Sequence, residues 1–248
     1  MNISEQLSVQ SYCFRNFRDN AQVAGMIKDC GLSHVELFGA GIHGDYEDPA
    51  SFPAAAKIYQ DAGITVDAIG VAGFAGDEAK ERKYFESITA VGGKLMSCSF
   101  DINQLPICLR VTEKLCEEFD VRVGIHNHGG WDWLGNTAAL GWLFNKTSDR
   151  IGLCLDTAWA MAASENPQTM AEKFADRLYG LHIKDFVFDR AGKPEDVVVG
   201  TGNLDLAKLL GFLKGLPALG WVALEYEGDA DNPVPAITEC VQAVRALC

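Results

Sequence analysis

Short apolar runs alternate with longer amphipathic stretches along the whole chain. The runs at 7–14, 34–38, 64–72, 95–100, 122–128, 151–157, 179–186 and 221–227 have the length and composition of strands. Between them, 20–30, 51–62, 77–91, 104–119, 136–145, 167–175, 204–213 and 235–247 read as helices. Gly31 and Gly63 stand just past two of these helices, where a left-handed residue ends a helix, and Gly92-Gly93 ends a third. The stretch LRVTEKLCEEF, within 104–119, is the clearest amphipathic pattern. Asn203 and Asp205 have the character of N-terminal caps for the helix that follows them.

Eight strand–helix units in sequence predict parallel strands, because each helix is long enough to carry the chain back across a sheet. Eight units in 248 residues match the size of a (β/α)8 TIM barrel. The rival, an open doubly wound sheet, normally places a glycine-rich phosphate loop after its first strand. Here that segment reads SYCFRNFRDN and contains no glycine. With no linker, repeat or low-complexity tract, the reading is one barrel domain spanning 1–248.

Composition narrows the partners. Twenty-one Lys and Arg against 34 Asp and Glu give a net charge of −13, which repels phosphate backbones, so no nucleic acid is expected. No apolar run is long enough to cross a bilayer, and the N-terminal MNISEQLSVQSYCFR lacks a basic segment followed by a pure apolar one. The expectation is therefore no membrane partner and a cytoplasmic protein. Eight cysteines without a C-x-x-C pair read as small buried hydrophobes in a reducing compartment.

The chemistry gathers at the ends of the last four predicted strands. Strand five ends in His126-Asn127-His128, strand six in Asp156-Thr157, strand seven in His182-Ile183-Lys184-Asp185, and strand eight in Glu225-Tyr226-Glu227. The two-residue period of a strand puts His126 with His128, His182 with Lys184, and Glu225 with Glu227 on shared faces. In a barrel, these positions line the mouth at the C-terminal ends of the strands. Taken singly, each also fits a core histidine, a salt-bridge partner or a helix cap. Together they predict a divalent metal site built from His126, Asp156, His182 and Glu225. Two nitrogens and two carboxylates suit Mn2+ first, then Co2+, Zn2+ or Mg2+, better than Ca2+.

At these residues the chain resembles the sugar phosphate isomerase/epimerase family, within the superfamily of xylose isomerase-like TIM barrels. That superfamily includes ketose 3-epimerases, inosose dehydratases, dehydroshikimate dehydratases and, more distantly, AP endonucleases. The segments that carry the resemblance are VGIHNHGG, GLCLDTAWA, LHIKD, GTGNLDL and ALEYEGDADNPVPA, in that order along nearly the whole chain. The resemblance implies one divalent ion held by Glu, Asp, His and Glu from strands five to eight. Asp156, His182 and Glu225 match three of these positions. His126 stands where many members have the first Glu, as in a branch that reads H-N-H. The D-T-x-H motif also lacks its His, since Trp159 occupies that place.

The implied reaction removes a proton beside a carbonyl and returns one nearby, as in sugar isomerisation or epimerisation. Glu225 and His128 are the expected acid/base groups, because a metal-bound His126 has no free lone pair. Lys184 either polarises a substrate carbonyl or pairs with a rim carboxylate. Asp185 is expected to fix a loop or orient a ligating histidine. Glu36, Trp131, Trp159 and Glu227 are the candidate substrate-binding residues, with Trp133 beside them. Trp142 is read as core and His43 as facing water. The loop Gly200-Thr201-Gly202-Asn203 resembles a phosphate site but has no adjacent Lys or Arg, which favours an unphosphorylated sugar or cyclitol as partner. A lyase or dehydratase in the same architecture, a Schiff-base aldolase using Lys184 and a non-catalytic sugar-binding barrel are the alternatives. A dimer or tetramer is expected from the resemblance.

Overall fold

The computed structural model describes residues 2–130 and 132–248. Eight parallel strands close into a barrel: β1 (Leu7–Gln10), β2 (His34–Phe38), β3 (Thr65–Phe74), β4 (Leu95–Phe100), β5 (Arg122–His126), β6 (Ile151–Asp156), β7 (Leu178–Ile183) and, after a hairpin, β10 (Trp221–Leu224). The hairpin is β8 (Asp185–Phe188) paired antiparallel with β9 (Pro194–Val197). Around the barrel run α1 (Ile3–Gln6), α2 (Asn20–Asp29), α3 (Ser51–Asp61), α4 (Glu78–Ala90), α5 (Leu105–Phe119), α6 (Thr137–Phe144), α7 (Thr157–Ala162), α8 (Pro167–Lys173), α9 (Leu206–Leu213) and α10 (Pro233–Leu247). Among the described residues, no helix is long and apolar enough to cross a membrane.

Local chemistry explains most element ends. Asp19, Asp77, Asn136 and Asp205 each accept a backbone N–H at the start of their helix. The predicted first strand stops early, because the Gln10 side chain accepts the Tyr12 N–H and turns the chain into a 3-10 turn over Ser11–Phe14. The predicted seventh strand breaks at Lys184. There the backbone N–H donates to Thr157 Oγ1 at 2.9 Å, and the carbonyl accepts from the same hydroxyl at 2.5 Å. The chain then leaves the barrel as β8 and β9, which the apolar pattern did not show. The short helix α7 was also unforeseen; Asp156 caps it.

Inside the barrel, two large rings fill the axis. Tyr179 and Trp221 are buried there with Ala68, Cys154 and Ala223. Glycines make the room: a Cβ on Gly180 would lie 2.3 Å from the Trp221 ring, and one on Gly152 would lie 2.4 Å from Tyr179. A larger core packs the helices against the outside of the strands. Seven of the eight cysteines are buried, and Cys248 is exposed. Trp142, expected in the core, is instead half exposed on the outer face of α6. Its ring lies under Lys146, while Leu140, Leu143 and Phe144 take the inner face.

Two substitutions test this packing. Gly180→Ala should destabilise the fold by about 1–3 kcal/mol, because the Trp221 ring has nowhere to move. Gly25→Ala, in α2 with nothing within 4 Å of the new Cβ, should stabilise it by about 0.5–1 kcal/mol. Urea denaturation of both variants beside wild type measures the two shifts.

Candidate metal centre

Strand register brings the four predicted donors to one level at the C-terminal end of the barrel. Asp156 on β6 is registered with His182 on β7, and His126 ends β5 opposite Cys154. Glu225 follows β10, its N–H held by the Ile183 carbonyl at 3.1 Å. One donor atom from each of His126, Asp156, His182 and Glu225 lies within 4.8 Å of all the others. His126 Nε2 is 3.6 Å from both Asp156 Oδ2 and Glu225 Oε2, while His182 Nδ1 is 3.0 Å from Glu225 Oε2.

These contacts leave a specific gap. His126 Nε2 and Asp156 Oδ2 are buried and have no hydrogen-bond partner. Buried polar atoms are costly when unmatched, so a pair of orphans facing each other calls for a shared partner. A divalent ion fits this donor set of two imidazoles and two carboxylates.

Each donor is held from behind. Asn127, pointing away from its histidine neighbours, donates to the Asp156 carbonyl at 3.0 Å and accepts the Asp156 N–H at 2.8 Å. Asp156 Oδ1 caps α7 through the Trp159 N–H, which turns Oδ2 toward His126. His182 Nε2 donates to Glu36 Oε2 at 2.7 Å, so Nδ1 faces the cluster. Glu36 is fully buried below the cluster rather than at the mouth, and also accepts from Ser97 Oγ and Trp221 Nε1. Burial alone would raise its carboxyl; His182, Ser97 and Trp221 outweigh that and hold it below the usual value.

Lys184 does not reach the mouth. It is 1% exposed, with its ammonium paired to Glu227 and 3.5 Å from Asp196 on β9. Burial would lower its affinity for a proton, but Glu225, Asp156, Glu227 and Asp196 together raise it above the usual lysine range. A lysine so held stays protonated, the opposite of what a Schiff-base nucleophile needs. Burial works to raise the Glu225 carboxyl, but Lys184, His182 and His126 together outweigh it and keep that carboxyl well below its ordinary value. Asp196, by contrast, is pushed up to about 7 by burial, which the Lys184 charge only partly offsets.

Above the cluster opens a cavity of about 370 Å3, with His126, His128, Trp159, Glu225 and Glu227 in its wall. His128 is exposed there, its ring stacked on Trp159 at 3.7 Å between centroids. Trp133 is turned away, donating to the Phe100 carbonyl. Trp131 lies outside the described residues. His43, expected to face water, is buried: its ring nitrogens bond Ser11 Oγ and the Phe17 carbonyl, and burial lowers its proton affinity. Asp185 is also buried and accepts the N–H groups of Gly200, Gly202 and Leu204. Gln10, Asn127 and Asp196 are the site residues the sequence did not single out. Only Gln10 left a signal, as a polar residue on the same strand face as Ser8 between the apolar Leu7 and Val9.

A closed parallel barrel with a His/Asp/Glu cluster at its C-terminal mouth defines the class. Residues 108–247 match the family described as xylose isomerase-like TIM barrel, and the chain belongs to it. Solved structures of the same fold include a sugar phosphate isomerase/epimerase from Parabacteroides distasonis, 16% identical. It matches over 98% of this chain and 94% of that one, with a TM-score of 0.76. The probable 3-DHS dehydratase from Bacillus anthracis is 12% identical over 96% and 98% of the two chains, TM-score 0.75. The 3-keto-D-glucoside 4-epimerase from E. coli is 17% identical over 97% and 99%, TM-score 0.72. At such identities the likeness is one of fold. No curated protein sequence matches this chain.

The raised Asp196 has a consequence for stability. The folded protein holds a proton on Asp196 up to about pH 7, whereas the unfolded chain releases it near the ordinary value of 3.8. The folded state therefore binds more protons between these limits, and stability falls as pH rises through the window. Asp196→Asn should be more stable than wild type at about pH 8, with the gap much smaller at about pH 5. Urea denaturation at both values measures it; an equal gap at both would count against the assignment.

Proposed function

We propose that the protein is a divalent-metal-dependent enzyme that moves a proton beside the carbonyl of a sugar or sugar derivative, as a sugar isomerase or epimerase. The observation that carries this reading is the pair of buried, unpartnered donors, His126 Nε2 and Asp156 Oδ2, facing each other beside Glu225 at the floor of a cavity. His126, Asp156, His182 and Glu225 would hold the ion, Mn2+ before Co2+, Zn2+ or Mg2+. When bound, such an ion supplies Lewis-acid stabilisation of negative charge on the substrate oxygens.

The chain's own residues divide the remaining work. His128, exposed in the cavity wall and not part of the cluster, is the acid/base group that takes up or returns the proton. Stacking on Trp159 fixes its ring. Glu227, at the cavity wall and ion-paired to Lys184, orients a substrate hydroxyl, and Trp159 presents a ring face to the apolar side of the sugar. Glu225 serves chiefly as a ligand, since its low proton affinity suits it to hold an ion. Lys184 is a positioning residue: it helps to keep Glu225 charged and holds Glu227 in place through their contact. Glu36 fixes the His182 ring so that Nδ1 is the free donor.

The family likeness extends to a dehydratase as well as to epimerases, and elimination begins with the same proton removal. Product mass separates them: isomerisation and epimerisation leave it unchanged, and dehydration loses water. Either reaction should exchange the proton beside the carbonyl with D2O.

Wild-type protein should carry about one ion per chain by ICP-MS after Mn2+ reconstitution, and His126→Ala, Asp156→Ala and His182→Ala should lose it. Glu36→Gln should weaken binding about 10–100-fold without removing a donor. Although burial works against it, Asp156 and Glu225 raise the proton affinity of His126 above the ordinary value. Protons therefore compete for Nε2, and Mn2+ affinity should fall as pH drops from about 8 to about 6, with proton release on uptake. His128→Asn should retain the ion and lower kcat about 100-fold or more. Absence of any ion in reconstituted wild type would sink the reading.

A further inference from the structure

Of the four donors in the cluster, Glu225 alone stands outside the barrel ladder. His126 is paired with Cys154, and Asp156 with His182, whereas β10 makes its last pairs at Leu224, with Val9 on β1 and Ile183 on β7. On the β7 side, one further bond from the Glu225 N–H to the Ile183 carbonyl continues the pattern. On the β1 side, the neighbouring strand ends at Gln10 and turns away over Ser11–Phe14. The segment 225–227 therefore leaves the sheet with a buried carboxylate to place and no strand beside it on that side.

Side chains take over where the ladder stops. Backbone groups shut off from water need partners, and those on either side of Glu225 share one sulfur. Cys13 Sγ accepts the Tyr226 N–H at 3.2 Å and lies 3.8 Å from the Leu224 carbonyl, to which the thiol donates. Cys13 is fully buried, and burial pushes its thiol up, so it keeps the hydrogen that the second contact needs. The two contacts fall on the residues just before and just after the donor.

The same turn grips the segment further along. Arg15 donates to the Glu227 carbonyl at 2.7 Å, while its guanidinium lies over the Tyr12 ring, 5.0 Å from the centroid. Asn16 donates to Asp231 Oδ1 at 2.6 Å. Cys13 is thus the contact nearest the donor. Cys30, also buried, offers a contrast between α2 and α10, where its thiol donates to the Val234 carbonyl at 3.7 Å.

We propose that Cys13 is a positioning residue for the metal centre: its thiol, bonded to the backbone on both sides of Glu225, fixes a carboxylate that the sheet holds on one side only. This rests on the proposed ion site and adds to it a residue from the β1 side of the barrel.

The test measures the Mn2+ Kd of the full-length protein by calorimetry, with urea denaturation of the same metal-free samples. Cys13→Ala removes both contacts, Cys13→Val also refills the volume, and Cys13→Ser restores a donor and an acceptor with shorter reach. The Ala and Val variants should each weaken Mn2+ binding about tenfold, the scale of losing a group that orients a ligand, and Cys13→Ser should recover part of that loss. Cys30→Ala is the control: it should lower the urea midpoint and leave the Mn2+ Kd unchanged. An unchanged Kd in Cys13→Ala and Cys13→Val would reduce Cys13 to packing and overturn the inference, while the metal-enzyme reading stands. A loss in Cys13→Ser as large as in Cys13→Val, or an equal loss in Cys30→Ala, would do the same. Wild type that takes up no Mn2+ would overturn both.

Discussion

A carboxylate at the centre of a barrel is tolerable only if its oxygens are matched, since removing a charge from water costs several kcal/mol. Glu36 meets this condition through Ser97, Trp221 and His182, drawn from three other strands. The rest of the site depends on that arrangement. Trp221 can donate to Glu36 only because Gly180 leaves room for its ring. His182, held at Nε2 by the same carboxylate, has a fixed ring plane and presents Nδ1 to Glu225. Packing in the barrel axis and donor geometry at the mouth are thus one connected set of constraints.

Asp156 shows how the fold divides one side chain between two tasks. Its Oδ1 caps α7, and that bond leaves Oδ2 aimed at His126 without a partner of its own. Reading it as a helix cap or as a donor is a false choice, because the cap sets the direction of the donor. Lys184 resolves in a similar way. Its position two residues after His182 suggests a group in the mouth, yet the hairpin folds Asp196 over it and Glu227 closes from the other side. The ammonium acts on its surroundings as a buried charge, helping His182 and His126 to offset the burial of Glu225 rather than touching the cavity.

The mouth is chemically divided. Strands β5, β6 and β7 and the segment after β10 supply imidazoles and carboxylates, whereas the ends of β1 to β4 supply aromatic, aliphatic and neutral polar groups. This asymmetry, with Asp185 filling the backbone cradle at 200–204, gives the site its character as much as the four donors do.

By itself, the sequence determined the barrel and pointed to the four side chains, His126, Asp156, His182 and Glu225, that the fold gathers into one cluster. Alternation of apolar runs with amphipathic helices is a local property, and the period of two along a strand puts His126 with His128, His182 with Lys184 and Glu225 with Glu227 on shared faces before any contact is known. What the tertiary structure alone decided were matters of contact between distant segments. Glu36 is a partner of a residue 146 positions away, so nothing near it in sequence distinguishes a buried brace from a rim group. The hairpin carrying Asp196 is set by Thr157 capturing both backbone groups of Lys184, which no propensity around 184 encodes. Trp142 and His43 were misplaced because hydrophobicity and polarity state a preference for burial, while packing and available hydrogen-bond partners settle it. The unpaired amide of Gln10 likewise exists only because the turn at Tyr12 claims its oxygen and the closed barrel shuts out water from its nitrogen.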